Sequence, residues 1–371
     1  MTPLPDSTGV FVIGGGPAGL AAAIAARRRG FDVTLADCSL PPIDKACGEG
    51  IMPDGIAAAQ ALGIDLDLAG GVPFRGIRFR EGETSVEAAF PRGYGLGLRR
   101  TALHRLMVDY AEAAGVRLVW DARVTGISED GVFADGRLVR ARWIVGADGG
   151  QSPVRHWAGL DACDRDSCRY GFRRHYQVAA ANDVMEIHWG DNCQLYITPV
   201  GASEVCVVLI SRDQHLRLDD ALPQFPEVAR RLAAAGASTL ERGGVSASRR
   251  LQAVCRGRVA LVGDASGSVD AITGEGLCLL FQQAVALAGA LAADDLGIYQ
   301  AAHRRIGKRP EFMSRLMLLM GGSGRLRHRA IRAMASQPRL FADMLAMHVG
   351  ELSPLAFAID GLALGWQMLT V

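Results

Sequence analysis

The stretch from Val10 to Asp37, VFVIGGGPAGLAAAIAARRRGFDVTLAD, constrains this chain more than any other. Val10, Phe11, Val12 and Ile13 form an apolar run that predicts a buried parallel strand. Gly14, Gly16 and Gly19 follow at the spacing G-x-G-x-x-G. The first allows a tight turn out of the strand. The second lets backbone approach a pyrophosphate, and the third lets a helix pack closely on the strand. Leu20 to Arg29 is rich in alanine and predicts that helix, which Gly30 stops. Its N-terminus offers free N–H groups and partial positive charge to phosphates. Asp32 to Ala36 alternates like a second strand and carries Asp37 to its tip, where a ribose hydroxyl would sit. A glycine-rich turn in another α/β fold would have the three glycines, but not strand, helix, second strand and acid in register.

Length and composition set the outer bounds. A chain of 371 residues is long for one core, so two domains are expected. Forty basic and 39 acidic residues nearly cancel, which argues against nucleic acid as a main partner. Cys38, Cys47, Cys163, Cys168, Cys193, Cys206, Cys255 and Cys278 are scattered without a C-x-x-C pair. Met1 to Thr8 is polar and carries two prolines, unlike a basic-then-apolar leader. These features predict a cytoplasmic protein with free thiols and no metal site. No run of 18 apolar residues suggests a spanning helix.

Further signals follow along the chain. Lys45 to Gly50, KACGEG, is a small-residue loop in which Cys47 either faces a reactive ring or is an ordinary buried residue. Asp54 is expected to cap a helix over Gly55 to Leu62. Val72 to Phe90 predicts strands, and Arg99 and Arg100 precede a helix, TALHRLMVDYAEAAG. A cation there would meet phosphates or remain solvated. Val116 to Trp120, Ala122 to Ile127 and a hairpin turning at Asp135–Gly136 follow. Trp143 to Val145 predicts a strand ending in the turn GADG, with Ser152 capping a short helix begun by Pro153. Cys163 to Ser211 alternates in a way that predicts a mostly antiparallel sheet, able to floor a substrate pocket. Leu218 to Leu240 reads as helical. Val259 to Val262 predicts another strand of the nucleotide site, closed by Gly263 and Asp264. Gly274 and Gly276 flank Glu275 at the start of a long apolar helix, a further dipole site.

From Gly297 the pattern is helical. Residues 300–371 hold ten Arg/Lys and four Asp/Glu, a net of +6, and end in the apolar tail LAFAIDGLALGWQML. Such an end rests on an anionic membrane or takes up a lipid, or is a helical cap with a solvated basic face.

Three fingerprints stand together: GGGPAG near the start, VGADGGQSPVR at 145–155 and VGDASGSVDAITGEGL at 262–277. The set resembles the FAD-dependent monooxygenase superfamily, which includes aromatic hydroxylases, flavin halogenases and geranylgeranyl reductases, over about the first 300 residues. The resemblance implies an α/β, Rossmann-like FAD-binding fold of the glutathione-reductase type. That domain is discontinuous over 1–71, 96–160 and 250–296, with an inserted antiparallel β-sheet substrate domain over 72–95 and 161–249 and a helical C-terminus over 297–371. It implies that Gly14, Gly16, Pro17, Ala18 and Gly19 hold the pyrophosphate of FAD and Asp37 its adenosine ribose. Arg100 resembles an FAD-contacting arginine, Val124 joins the cofactor-binding set, and Cys47 and Gly48 lie toward the flavin. Asp148 mostly serves structure between cofactor and pyridine nucleotide. Gly263 and Asp264 take the flavin-side ribose, and Gly274 and Gly276 present N–H groups near the flavin pyrimidine.

The subfamily signals are mixed. The halogenase signature W-x-W-x-I-P is absent, the comparable stretch being QLYITPVG. Of the geranylgeranyl reductase motif Y-x-W-x-F-P, Tyr196 and Pro199 match but Thr198 replaces the tryptophan. Hydroxylases of phenolic lipids and polyketides share this look. The leading expectation is an FAD-dependent monooxygenase that takes electrons transiently from NADH or NADPH and hydroxylates an apolar aromatic substrate. An isoprenoid double-bond reductase and a non-catalytic flavin-binding lipid carrier are the alternatives. Cys47, Tyr196 and His188 are the catalytic candidates, and His175 is a further polar group of the sheet region.

Overall fold

In the computed structural model, residues 2–353 are described, so the apolar tail at 355–369 lies outside the described residues. The chain opens with β1 (Ser7–Ile13), α1 (Pro17–Arg28) and β2 (Val33–Asp37). Then come β3 (Gly50–Ile51), α2 (Pro53–Ala61), β4 (Val72–Phe74), β5 (Gly76–Glu81) and β6 (Thr84–Ala89). The short strand β7 (Gly95–Gly97) leads into α3 (Arg100–Ala113) and β8 (Arg117–Trp120). An antiparallel flap of β9 (Val124–Ile127), β10 (Gly131–Ala134) and β11 (Arg137–Gly146) precedes α4 (Pro153–Trp157). The long strands are β12 (Cys163–Tyr176), β13 (Met185–Trp189), β14 (Cys193–Gly201) and β15 (Glu204–Ser211). After α5 (Leu218–Ala221) and α6 (Pro226–Ala233) come β16 (Arg242–Leu251), β17 (Cys255–Arg256) and β18 (Val259–Leu261). Four helices close the described chain: α7 (Gly276–Ala292), α8 (Leu296–Gly322), α9 (Gly324–Ser336) and α10 (Pro338–His348).

The nucleotide layer is a sheet in the order β17-β18-β11-β1-β2-β8. Its β18, β11, β1, β2 and β8 run parallel, so the segments expected to form one discontinuous domain share one sheet. Val10, Phe11 and Val12 are fully buried because helices and flap cover both faces. Alanines of α1 let it lie close against α7, which is also apolar.

A second sheet runs β16-β12-β15-β14-β13-β5-β6. Alternation divides its two faces. Val205, Val207 and Leu209 pack outward under α5 and α6, whereas Cys206, Val208 and Ile210 face the main core. The α9 and α10 helices pack on β6. A three-stranded sheet, β3-β7-β4, links the layers, so Val72–Phe74 leaves the larger sheet that the residues after it join. Among the described residues, no helix is long and apolar enough to cross a membrane.

Two local expectations are corrected, and one strand was not foreseen. Leu218 to Leu240 is not one helix. Pro223 and Pro226 lack the N–H a continuous helix needs, and the segment breaks into α5, a 3-10 turn and α6. Asp54 does not cap α2. Pro53 begins that helix behind Met52, and the Asp54 carboxylate instead accepts from Gln282 Nε2 (3.2 Å) and pairs with Arg309. The edge strand β16, RGGVSASRRL, had no apolar alternation to announce it.

Candidate active site

The glycine turn has the geometry its sequence requires. Gly14 has φ +111°, and a Cβ there would lie 2.4 Å from the Ala147 carbonyl oxygen. A Cβ on Gly19 would lie 1.8 Å from the Gly14 carbonyl oxygen, so helix and turn touch through backbone. Asp37 Oδ2 accepts from Gly15 N at 2.6 Å and Oδ1 from Ser39 N at 2.7 Å, which fixes the carboxylate at the tip of β2. Beneath the turn, His104 Nε2 lies 2.9 Å from the Gly15 carbonyl oxygen. Burial holds the His104 pKa down, so the neutral ring donates there. Ala122 N donates to Asp37 O at 3.0 Å, which starts β9 and Val124 just past the tip of β2.

The other expected positions fall into two kinds. Asp148 accepts from Ser152 Oγ (2.6 Å) and Val154 N (2.9 Å), so it fastens the start of α4, and burial raises its pKa. Asp264 pairs at 3.0 Å with Lys45 of the KACGEG loop, bringing that loop beside the turn after β18. Gly263 N donates to Gln283 Oε1 at 2.7 Å.

The residues fit FAD. A Cβ built on Gly16, Gly48 or Gly274 would meet nothing within 4 Å, although each glycine is half-buried. A Cβ on Gly276, the exposed first residue of α7, also meets nothing within 4 Å. No side chain caps α1 or α7, so both helix starts keep donors for a ligand. The Arg100 Nε is buried without a hydrogen-bond partner, as a cation awaiting an anionic group would be.

One face of the larger sheet carries a buried charged cluster. Arg169, Arg173 and His175 alternate on β12 and are all buried, against the habit of such residues. Arg173 Nη1 bonds Glu49 Oε1 at 3.0 Å and Arg173 Nη2 pairs with Asp44 at 2.9 Å. His175 Nε2 lies 2.7 Å from Glu49 Oε2 and its Nδ1 2.9 Å from Thr239 Oγ1. Glu49 also receives Arg100 N at 2.9 Å, which ties the start of α3 to the KACGEG loop. Thr198 Oγ1 donates to Gly48 O at 2.8 Å, and the Cys206 thiol reaches Cys47 O at 3.7 Å. The loop that carries half-buried Cys47 is thus pinned from below. Glu49, His175 and Cys206 place ligand atoms within 4.8 Å of one another, but the carboxylate and imidazole already serve Arg173, Arg100 N–H and Thr239.

Beside this floor lies a small apolar cavity of about 30 Å³. Met52, Phe79, Met185, Met313 and Met344 line it, with Ile272 and Thr273 from the loop before α7. Tyr196 borders it, and its hydroxyl donates to Ile272 O at 2.6 Å, while burial raises its pKa. His188 is not brought to this site. Met185 and Ile187 face the cavity, so strand alternation turns His188 to the other face, where Glu186 Oε2 holds it at 2.9 Å. Glu186 also pairs there with Arg231 at 2.9 Å.

Sequence reasoning passed over His348, the last residue of α10, which lines the cavity. It noted Glu275 only as the residue between two glycines. Burial pushes the Glu275 carboxyl up to about 8 and pulls His348 down to about 4. An isolated histidine late in a helical stretch gave no local signal.

The sequence profile of a family described as FAD binding domain matches residues 7–297. The chain is 28% identical to the menaquinone reductase of Mycobacterium tuberculosis over 305 residues, 73% of each chain. It is 28% identical over 308 residues to the FAD-dependent urate hydroxylase of Klebsiella pneumoniae, covering 74% of this chain and 79% of that one. The crystal structure of a flavoprotein/dehydrogenase from Cytophaga hutchinsonii superimposes with a TM-score of 0.85, covering 98% of this chain and 99% of that one at 16% identity.

Proposed function

Because this chain belongs to the FAD binding domain family and is an FAD-dependent oxidoreductase, we propose that it is an NAD(P)H-dependent monooxygenase acting on a phenolic-lipid or polyketide-type ring with an apolar chain. The carrying observation is the methionine-rich cavity between the floor of the larger sheet and helices α8 and α10. Methionines adapt to a long, flexible chain, and the lining excludes water from the reacting ring. Tyr196, Thr273 and His348 are the polar side chains of an otherwise apolar lining.

FAD, when bound, moves electrons from NAD(P)H to oxygen or to a double bond. The chain's own residues bind and orient it. Gly14, Gly16 and Gly19 receive the pyrophosphate at α1, Asp37 the adenosine ribose, and Arg100 the phosphates. Asp264 would receive the second ribose, while Gly274, Gly276 and the start of α7 would offer N–H groups and helix-dipole charge to the flavin pyrimidine. In sum, a ring C–H, O₂, NAD(P)H and a proton become a ring C–OH, water and NAD(P)⁺.

A second reading is reduction of an isoprenoid double bond, in which NAD(P)H and a proton supply the two hydrogens. The menaquinone reductase relative and the uncharged cavity lining support it. Mass spectrometry of products from holoenzyme, NAD(P)H and labelled oxygen separates the two. Hydroxylation adds one labelled oxygen to 5-pentadecylresorcinol, and reduction adds two hydrogens per double bond to a polyprenyl quinone under anaerobic conditions. A reduced enzyme that ignores oxygen when the phenol is bound overturns the first reading.

Peripheral membrane contact belongs to the same proposal. Arg325, Arg329, Arg332 and Arg339 are exposed on α9 and α10, where they can meet the anionic surface in which a lipid substrate resides.

A further inference from the structure

We propose that His303 and Gln283 are positioning residues for the flavin-side half of FAD, because they hold from behind the turn that presents Asp264. The inference rests on the reading of Asp264 as the partner of the second ribose. Gly263 has φ +59°, and a Cβ there would lie 2.6 Å from the Ala18 Cβ, so the turn is closed on the side of α1. Both backbone polar atoms of Gly263 are taken. Its N–H donates to Gln283 Oε1 at 2.7 Å, and its carbonyl accepts from Ser266 Oγ at 2.8 Å. His303, on α8, sets Nε2 2.9 Å from Ser266 Oγ and 3.3 Å from Gln283 Nε2. One ring nitrogen thus backs both the group that holds Gly263 N and the group that holds Gly263 O. The Asp264 carboxylate is left on the open side, about half exposed, with Lys45 as its partner.

The end of β18 is secured without this network. Tyr299 donates its hydroxyl to Leu261 O at 2.7 Å, and Val262 N donates to Gly146 O at 2.9 Å. Gln283 and His303 therefore act on the turn after the strand and not on the strand. Gln283 and Ser266 are buried, where a polar group costs stability unless it is hydrogen-bonded. Apolar side chains would fill the space behind β18, but they would leave the Gly263 peptide free to rotate. Polar groups with fixed bond directions hold its plane, and with it the direction in which Asp264 leaves the chain. The Tyr299 ring packs edge-on against the His303 ring, with centroids 5.8 Å apart, and so fixes the imidazole in turn. Burial pulls the His303 pKa down to about 4, so the ring is uncharged at neutral pH and adds no charge behind the turn.

The test is calorimetric titration of the full-length apoprotein at pH 7 with FAD and, separately, with ADP, which carries only the half held at α1. In His303→Leu and Gln283→Met, FAD is expected to weaken by about five- to tenfold while ADP stays within about twofold of wild type. His303→Gln places an amide nitrogen near the position of Nε2 and should recover part of the FAD affinity. Asp264→Ala should weaken FAD by a similar factor, and His303→Leu added to it should cost nothing further, because the turn then has no carboxylate to aim. Parallel losses of FAD and ADP would show that the two side chains only support the fold, and that overturns the proposal. Unchanged FAD affinity in His303→Leu and Gln283→Met, with Asp264→Ala weakened, overturns it and leaves the ribose reading standing. Unchanged affinity in Asp264→Ala overturns the ribose reading and the proposal with it. Circular dichroism and melting temperature establish that each variant is folded, and if His303→Leu fails them the split between FAD and ADP in Gln283→Met decides.

Discussion

At Gly16 and Gly19 the same added methyl has opposite consequences. A Cβ at Gly19 would strike the Gly14 carbonyl oxygen at 1.8 Å, so Gly19→Ala must shift α1 off β1. A cost of about 1–3 kcal/mol is expected, visible as a lower melting temperature with or without FAD. At Gly16, which has φ −68° and ψ 174°, a Cβ meets nothing within 4 Å of protein. Gly16→Ala should leave the apoprotein melting within about 1 °C of wild type and weaken FAD by about tenfold or more, because the methyl enters ligand space. Titration of apoprotein with FAD checks both, and an unchanged FAD affinity in Gly16→Ala would remove the glycine from the groove. Glu275 gives a second residue-scale expectation. Burial holds its folded pKa up at about 8, above the ordinary 4.5 of a glutamate. The folded state therefore binds the extra proton between those values, and this group's contribution to stability falls as pH rises through that window. His348, lowered from 6.5 to about 4, acts the other way and costs stability as pH falls from 6.5. Glu275→Gln should gain melting temperature relative to wild type between pH 5 and pH 8.

Elements were legible where local pattern and tertiary role coincide. The run from Val10 to Asp37 announces β1, α1 and β2 because strand burial, helix composition and turn glycines all act over short range. Pro223 and Pro226 were visible, yet an amphipathic pattern on both sides hid their breaking power. β16 was invisible because it pairs at a sheet edge, where its serines and arginines need no apolar alternation. α9 shows how much function an element's outer face can carry after its inner face is assigned. Ala330, Ile331 and Met334 pack inward, while Arg325, Arg329 and Arg332 point to solvent. If this face meets anionic lipid at roughly 1 kcal/mol per arginine, the protein should sediment with phosphatidylglycerol vesicles at low salt. Reversing those three arginines to glutamate should abolish sedimentation and leave turnover of a detergent-dispersed substrate unchanged. Wild-type binding that persists at about 1 M salt would point away from this charged face.

At the scale of the molecule, the site is assembled from distant parts of the chain. The parallel sheet sets β18 beside β11 and β11 beside β1, so the turn before α1 meets the turn after β18 at Ala18 and Gly263, and α1 packs on α7. That convergence was legible only through the three fingerprints together. The pair of Glu275 and His348 was not legible, since it depends on how α10 folds back over the cavity. The same construction predicts how FAD should stabilise the fold. A ligand that spans α1, the KACGEG loop, α3 and the start of α7 ties together segments that lie far apart in the sequence. At a free concentration of about 100 times its Kd, FAD contributes roughly 2.7 kcal/mol. Holoprotein should then melt a few degrees above apoprotein in one transition. Amide exchange should slow on FAD addition at residues 14–20, 46–50 and 264–276, where backbone would face the ligand. The outward strands of the larger sheet, at 193–197 and 205–209, already have every neighbour they need and should exchange alike in both forms. If FAD slowed exchange only at 14–20, the adenosine half alone would be held, and the loop before α7 would have to be given another role.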